Sequence, residues 1–117
     1  MKICNLDYLK SVTPGSNAFA VQVIKLFLQD TPIEIKKIKE GLEAGSYDEI
    51  YKYTHKIKPS ITMIGAPLEV TNAILKINEF AKAKTNMDQL KELIHFLDTE
   101  ISKIYVDLEE SLKELEQ

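Results

Sequence analysis

The sequence predicts an all-α protein, an antiparallel four-helix bundle with a short additional helix at its N-terminus. Apolar residues recur at steps of three and four along most of the chain, which is the spacing of amphipathic helices. Leu, Ile, Lys and Glu dominate, a composition that favours helix, and four glycines and four prolines are too few for a loop-rich β protein. Because 117 residues are the length of one domain, we expect residues 1–117 to form a single unit.

Turn-forming residues divide the chain into five helical stretches. These stretches are, in order, about residues 6–12, 17–44, 46–64, 67–84 and 90–115. Ser16 or Asn17 is the expected N-cap of the second stretch, and Gly45 is expected to end it. Pro32 either bends this stretch or begins a new helix with Thr31–Glu34 as a capping box, and we expect one long helix. Four long amphipathic helices with short connections favour an antiparallel bundle.

The apolar periodicity also predicts which residues are buried. The last stretch has the clearest seam, in which steps of four and three alternate. The residues expected in the core are Phe19, Val23, Leu26, Phe27, Ile35, Ile38 and Leu42; Tyr47, Ile50, Thr54, Ile57, Ile61 and Ile64; Leu68, Ile74, Leu75 and Ala81; and Leu90, Ile94, Leu97, Ile101, Ile104, Leu108, Leu112 and Leu115.

Composition argues against several classes of partner and compartment. The net charge is −3 and all fifteen basic residues are lysines. The chain therefore lacks both the positive surface charge and the bidentate arginine contacts that are typical of a nucleic-acid binder. Cys4 is the single cysteine and cannot form an internal disulfide. The sequence contains no run of about 18 apolar residues, which a membrane-spanning helix would need. Residues 1–5 also lack the apolar core of a signal peptide. We therefore expect a cytoplasmic protein that binds neither nucleic acid nor membrane.

His55 is the residue whose position asks for a functional explanation. At ~100° per residue, the imidazole points about 130° away from the middle of the apolar stripe of the third stretch, toward solvent. Pro59 and Thr62 share this exposed face, and Lys58 and Lys56 flank it on either side. A neutral imidazole is a good nucleophile near pH 7, and nearby ammonium groups could offset the charge of an incoming phosphoryl group. A single surface histidine has this geometry in many proteins, and His95 receives no role.

The residues from Thr54 to Ala66, Thr-His-Lys-Ile-Lys-Pro-Ser-Ile-Thr-Met-Ile-Gly-Ala, resemble the phosphohistidine motif of histidine-containing phosphotransfer (HPt) domains. That motif has Lys three residues after the His, Ser five residues after it and Gly ten residues after it. His55, Lys58, Ser60 and Gly65 are in this register. The resemblance covers most of the chain, since residues 6–9 look like the short leading helix of the family and residues 27–32 look like its second-helix segment.

The resemblance implies a phosphorelay intermediate. His55 would accept a phosphoryl group from a receiver-domain aspartate of a hybrid histidine kinase or response regulator, and would pass it to the aspartate of another receiver. Lys58, and more weakly Lys56, would offset phosphoryl charge. The receiver would supply the divalent metal, so the chain itself would need no cofactor and no metal. Pro59, Thr62 and Met63 are the expected contacts of the receiver, with Met63 on the surface opposite the core, and the chain is expected to be a monomer.

Pro59 is a departure from the family pattern, which usually has Gly at this position so that the receiver can approach closely. A proline inside a helix removes the hydrogen bond to the carbonyl of His55, and it should bend the helix there. This substitution leaves the choice of partner and the local helix geometry open.

Two alternatives to a working phosphocarrier remain open at this stage. One is a helical interaction module without phosphate chemistry, and the other is a degenerate phosphotransfer fold inactivated by Pro59. An enzyme is disfavoured, because the sequence has no Gly-rich phosphate loop, no compelling pair of carboxylates and no His or Cys cluster for a metal. The chain is also too short for an ATP-binding kinase domain, so we expect no autophosphorylation from ATP.

Overall fold

A computed structural model describes residues 2–117 and contains five α-helices and no strand within that range; Met1 lies outside the described residues. The helices are α1 (Asp7–Val12), α2 (Ala18–Glu43), α3 (Tyr47–Met63), α4 (Leu68–Ala83) and α5 (Met87–Leu115). The predicted fold class is confirmed, since the four long helices form a bundle and α1 precedes it. No helix among residues 2–117 combines the length and the apolar character needed to cross a bilayer.

The four long helices pack in chain order around a square, because α2 contacts α3 and α5, and α4 contacts the same two helices. Two ion pairs between α2 and α5 establish that these helices are antiparallel. Lys39 pairs with Asp98 at 3.1 Å, and Lys25 pairs at 3.2 Å with Glu116, the C-cap of α5, so rising residue numbers along α2 meet falling residue numbers along α5. The core between the helices is dominated by fully buried isoleucines and leucines from all four.

The boundaries of α3 are set by local hydrogen bonds at both of its ends. The Ser46 hydroxyl accepts a hydrogen bond from the backbone N–H of Glu49 at 3.2 Å, which caps the N-terminus of the helix. At the other end, Gly65 has a φ of +65°, and its N–H donates to the carbonyl of Thr62. This left-handed residue ends the helix that carries His55.

Pro32 lies inside one uninterrupted α2, as expected, and does not begin a new helix. The alternative, in which Thr31–Glu34 form a capping box at the start of a new helix, is excluded, because both side chains are buried in the middle of α2. A proline in a helix interior leaves the carbonyl four residues earlier without its usual donor. Packing of α2 against α3 and α5 offsets that loss.

Three predicted core residues are exposed instead, and the prediction was wrong for Leu26 (48% exposed), Leu68 (70%) and Leu75 (43%). Leu68 and Leu75 are seven residues apart and therefore share one face of α4, opposite its buried stripe. That stripe is Val70, Ala73, Ile74, Ile77 and Ala81. Leu26 lies on the flank of α2 beside the buried Phe27, where it borders a groove described below.

The segment before α1 is fixed to two of the long helices. The backbone N–H groups of Ile3 and Cys4 donate to Oδ2 of the buried Asp107 on α5, at 3.0 and 2.9 Å. The N–H of Asn5 donates to the carbonyl of Gly65 at 2.9 Å. The N-terminal segment therefore lies across the C-terminal end of α3 and is also hydrogen-bonded to α5.

Candidate functional site

His55 is exposed on the middle of α3, on the face opposite the buried stripe of that helix. Ile50, Thr54, Ile57, Ile61 and Ile64 of the predicted stripe are all buried, while Tyr47 is half-buried. The hydroxyl of Thr54 donates to the carbonyl of Ile50 at 2.6 Å, so the one polar member of the stripe is satisfied within its own helix. The apolar stripe therefore fixes the rotation of α3 and directs the imidazole outward.

Tyr51 is a neighbour of His55 that the motif analysis missed. The two rings are stacked, with centroids 5.5 Å apart and planes inclined by 19°. The signal was available, because residues four apart on a helix share a face. Stacking restricts the rotation of the imidazole and covers one of its faces. The lone pair of an imidazole nitrogen lies in the ring plane, so the nucleophilic edge of His55 is still open to a partner.

Lys58 and Lys56 lie on the two sides of His55, as predicted. Lys56 is exposed and Lys58 is half-buried. Within residues 2–117, neither ammonium group is engaged in an ion pair, so both are free to interact with an incoming anion. Each charge would contribute about 1 kcal/mol at ~4 Å in water and about 4 kcal/mol once a docked partner lowers the effective dielectric to about 20.

Pro59 and Thr62 are exposed on the His55 face, one and two turns after the histidine. The helix continues through Pro59 to Met63. Because proline has no N–H, the His55 carbonyl lacks the donor that residue 59 would otherwise supply. Thr62 donates its hydroxyl to the carbonyl of Lys58 at 3.2 Å, which leaves its methyl group and the proline ring as the outer surface here.

Met63 does not lie opposite the core, and that expectation was wrong. The side chain is half-buried and packs against the core cluster on the flank of α3 that faces α2. There it lines a groove together with Ser60 of the motif and with residues of α2. We call this groove, of about 220 Å³, the α2–α3 groove; its lining includes Val23, Leu26, Phe27, Asp30, Glu34 and Met63.

Glu34 is a second residue near the site that the motif analysis did not single out. It is only 9% exposed, and its Oε2 atom has no hydrogen-bond partner within residues 2–117. Burial raises the pKa of this carboxyl, the Lys56 charge partly counters that rise, and Asp30 adds to it. A signal did exist in the sequence, since Glu34 shares the core-facing spacing of Thr31, Ile35 and Ile38.

Replacing Glu34 with glutamine should change how stability depends on pH. A group whose pKa is higher in the folded than in the unfolded chain stabilises the fold at pH values below its unfolded-state pKa. This stabilisation is lost as the pH rises through its folded-state pKa. We therefore expect Glu34→Gln to raise the free energy of unfolding at pH 7 by about 1 kcal/mol, with little change at pH 4. Urea unfolding at both pH values measures the difference.

Glu79→Gln, which removes the charge of an exposed pair with Lys76, is the control and should leave the free energy of unfolding unchanged at both pH values. A gain for Glu34→Gln that is equal at pH 4 and pH 7 would contradict this account.

Among residues 2–117, no three His, Cys, Asp or Glu side chains come together in a way that could hold a metal ion. Comparisons of the chain with protein-family models, with curated proteins and with solved structures find no significant match.

Proposed function

We propose that this protein is a histidine phosphocarrier of the HPt type, which accepts a phosphoryl group on His55 from a receiver-domain aspartate and passes it to another receiver. The observation that carries the proposal is an exposed, ring-stacked imidazole between two lysines that form no ion pair within residues 2–117, on a helix whose opposite face is buried. The register of His55, Lys58, Ser60 and Gly65 in the sequence supports it independently of the fold. The chain acts as a monomeric carrier and has no kinase activity toward ATP.

The transfer step needs few groups from this chain. An unprotonated ring nitrogen of His55 attacks the phosphorus in line with the bond to the aspartyl oxygen. A nitrogen–phosphorus bond forms, the phosphorus–oxygen bond breaks, and the aspartate leaves as a carboxylate with the bonding pair. Lys58 and Lys56 face the phosphoryl oxygens, and Tyr51 holds the ring in one orientation. The divalent metal that neutralises the donor belongs to the receiver.

The direct test is phosphoryl transfer from a receiver domain. Receivers of the source organism are labelled on aspartate with radioactive phosphate and are incubated with the chain and Mg²⁺. We expect label on the chain that is lost in acid and kept in alkali, as a phosphoramidate bond requires. The chain incubated with labelled ATP alone should stay unlabelled. Failure of every receiver to label the chain would overturn the proposal.

Substitution of Lys58 tests the assigned electrostatic role. Lys58→Ala removes a charge that is expected to stabilise the transferring group by about 1 to 2 kcal/mol at a partly desolvated interface, so transfer should slow about tenfold. Rapid-quench measurement of labelled His55 at saturating receiver gives the rate. Lys82→Ala, which removes an exposed lysine in the last turn of α4, should transfer at the normal rate. An unchanged rate in Lys58→Ala would remove its role.

Pro59→Gly separates a working carrier from a degenerate one. If the proline has abolished transfer, the original chain stays unlabelled while Pro59→Gly, which restores the residue usual in the family, acquires label. If the chain is active as proposed, both proteins are labelled. An interaction module without phosphate chemistry leaves both unlabelled while still binding a receiver or another partner.

A further inference from the structure

The α2–α3 groove combines an apolar wall with two carboxylates, the buried one of Glu34 and the exposed one of Asp30. Val23, Leu26, Phe27 and Met63 form the wall, and Leu26 is exposed although it is a large apolar side chain. Asp30 and Glu34 lie on successive turns of α2, four residues apart, so both carboxylates line the same groove. A groove of this kind matches a side chain with an apolar stem and a positive end.

Glu34 is the reason to expect a ligand in the groove. More than nine-tenths of the residue is buried, yet Oε2 accepts no hydrogen bond within residues 2–117. A buried carboxylate without a partner is unfavourable, and buried charges in proteins are normally paired. Lys56 affects Glu34 electrostatically, but within the described residues its ammonium group is not at ion-pair distance from that carboxylate. The groove is therefore lined by a carboxylate of which one oxygen has no hydrogen-bond donor within residues 2–117.

We propose that the α2–α3 groove binds a lysine or arginine side chain of the receiver that loads His55. The inference rests on the proposed function, which supplies the class of partner. The aliphatic stem of the incoming residue packs on Leu26 and Met63, and its ammonium or guanidinium group donates hydrogen bonds to Glu34, with Asp30 adding attraction at the rim. The acidic groove selects a receiver with a basic residue at the matching position and disfavours one with an acidic residue there.

The position of the groove suits this role. Met63 follows His55 by eight residues, which is about 12 Å along the axis of α3. A standard protein interface covers about 800 Å² on each partner, so one docked domain can contact both the imidazole and the groove. The groove is displaced toward α2, whereas Tyr51 stacks directly on the ring of His55. A basic side chain in the groove would thus fix the register of the receiver without obstructing the phosphoryl group.

The groove can be tested without any receiver. N-butylguanidinium chloride is titrated into the protein, and the methyl resonances of Val23, Leu26 and Met63 are followed by NMR at constant ionic strength. We expect saturable shifts with butylguanidinium and none with the neutral isostere butylurea. Binding should weaken about tenfold in Glu34→Gln and stay unchanged in Glu69→Gln, which removes a carboxylate from an apolar groove between α4 and α5. Equal binding of the two probes, or unchanged binding in Glu34→Gln, would overturn the proposal.

Transfer kinetics then connect the groove to the receiver. In Glu34→Gln, the KM for a phosphorylated receiver should rise about tenfold while kcat is preserved, because the contact is made equally in the bound and transition states. Replacing the basic residue of the receiver by glutamine should have the same effect and should not add to it. If no receiver labels the chain, the proposed function fails, and the guanidinium titration still decides whether the groove binds a cation. If receivers label Glu34→Gln with an unchanged KM, the receiver contact is refuted and the phosphocarrier stands.

Discussion

Replacing Gly65 with alanine is expected to lower the free energy of unfolding by roughly 4 kcal/mol, a large part of the 5–15 kcal/mol that a domain usually has. The φ of +65° at this position strains any residue that has a Cβ atom, at a cost of about 1–2 kcal/mol. A Cβ here would also overlap the carbonyl oxygen of Asn5 and lie 2.7 Å from its carbonyl carbon. Because both atoms are backbone, the N-terminal segment must move away, and it then loses the hydrogen bond from the Asn5 N–H to Gly65.

Gly45→Ala is a matched control for this prediction. Gly45 ends α2 with a nearly identical φ of +66°, but an added Cβ would meet no atom within 4 Å. We therefore expect about 1 kcal/mol of destabilisation for Gly45→Ala, from backbone strain alone. Urea unfolding followed by circular dichroism measures both variants. Equal losses in the two would contradict the argument, because they would leave no effect for the close approach of Asn5.

Gly65 illustrates how far a sequence motif can be interpreted before the fold is known. The motif and the helix-ending role of this glycine are visible in the sequence, and the structure confirms that α3 ends there. The contact with Asn5 is not visible, because it depends on how the N-terminal segment crosses the end of α3. Likewise the buried carboxylate of Asp107, which accepts from the N–H groups of Ile3 and Cys4, joins residues about a hundred positions apart.

The features of the site likewise fall into two groups, those that local sequence determines and those that depend on how the helices pack. The exposure of His55 follows from helical periodicity, since the isoleucines of α3 fix which face is buried. The stacking of Tyr51 also depends on local spacing, but the choice of side-chain rotamers decides it. The α2–α3 groove requires the mutual position of two helices, so periodicity alone predicted Leu26 for the core and Met63 for the opposite surface, and both predictions were wrong.

Replacing His55 with glutamine is expected to abolish phosphoryl transfer to the chain completely. Glutamine keeps a polar side chain of similar reach, but its amide nitrogen has no available lone pair and cannot act as the nucleophile. The fold should be unaffected, because His55 is exposed and surface substitutions usually change stability by less than about 0.5 kcal/mol. Receiver binding should persist, so a gel-filtration or calorimetric binding assay with the unphosphorylated receiver distinguishes a lost nucleophile from a lost interface.

His95→Gln is the control that makes the loss specific. His95 is the other histidine of the chain, and it is likewise exposed, on α5. Its carbonyl accepts a hydrogen bond from the hydroxyl of Thr99, but within residues 2–117 no aromatic ring stacks on its imidazole as Tyr51 stacks on that of His55. Transfer to His95→Gln should proceed at the normal rate. Acid-labile label that survives in His55→Gln and disappears in His95→Gln would assign the phosphoryl group to α5 and refute the site on α3.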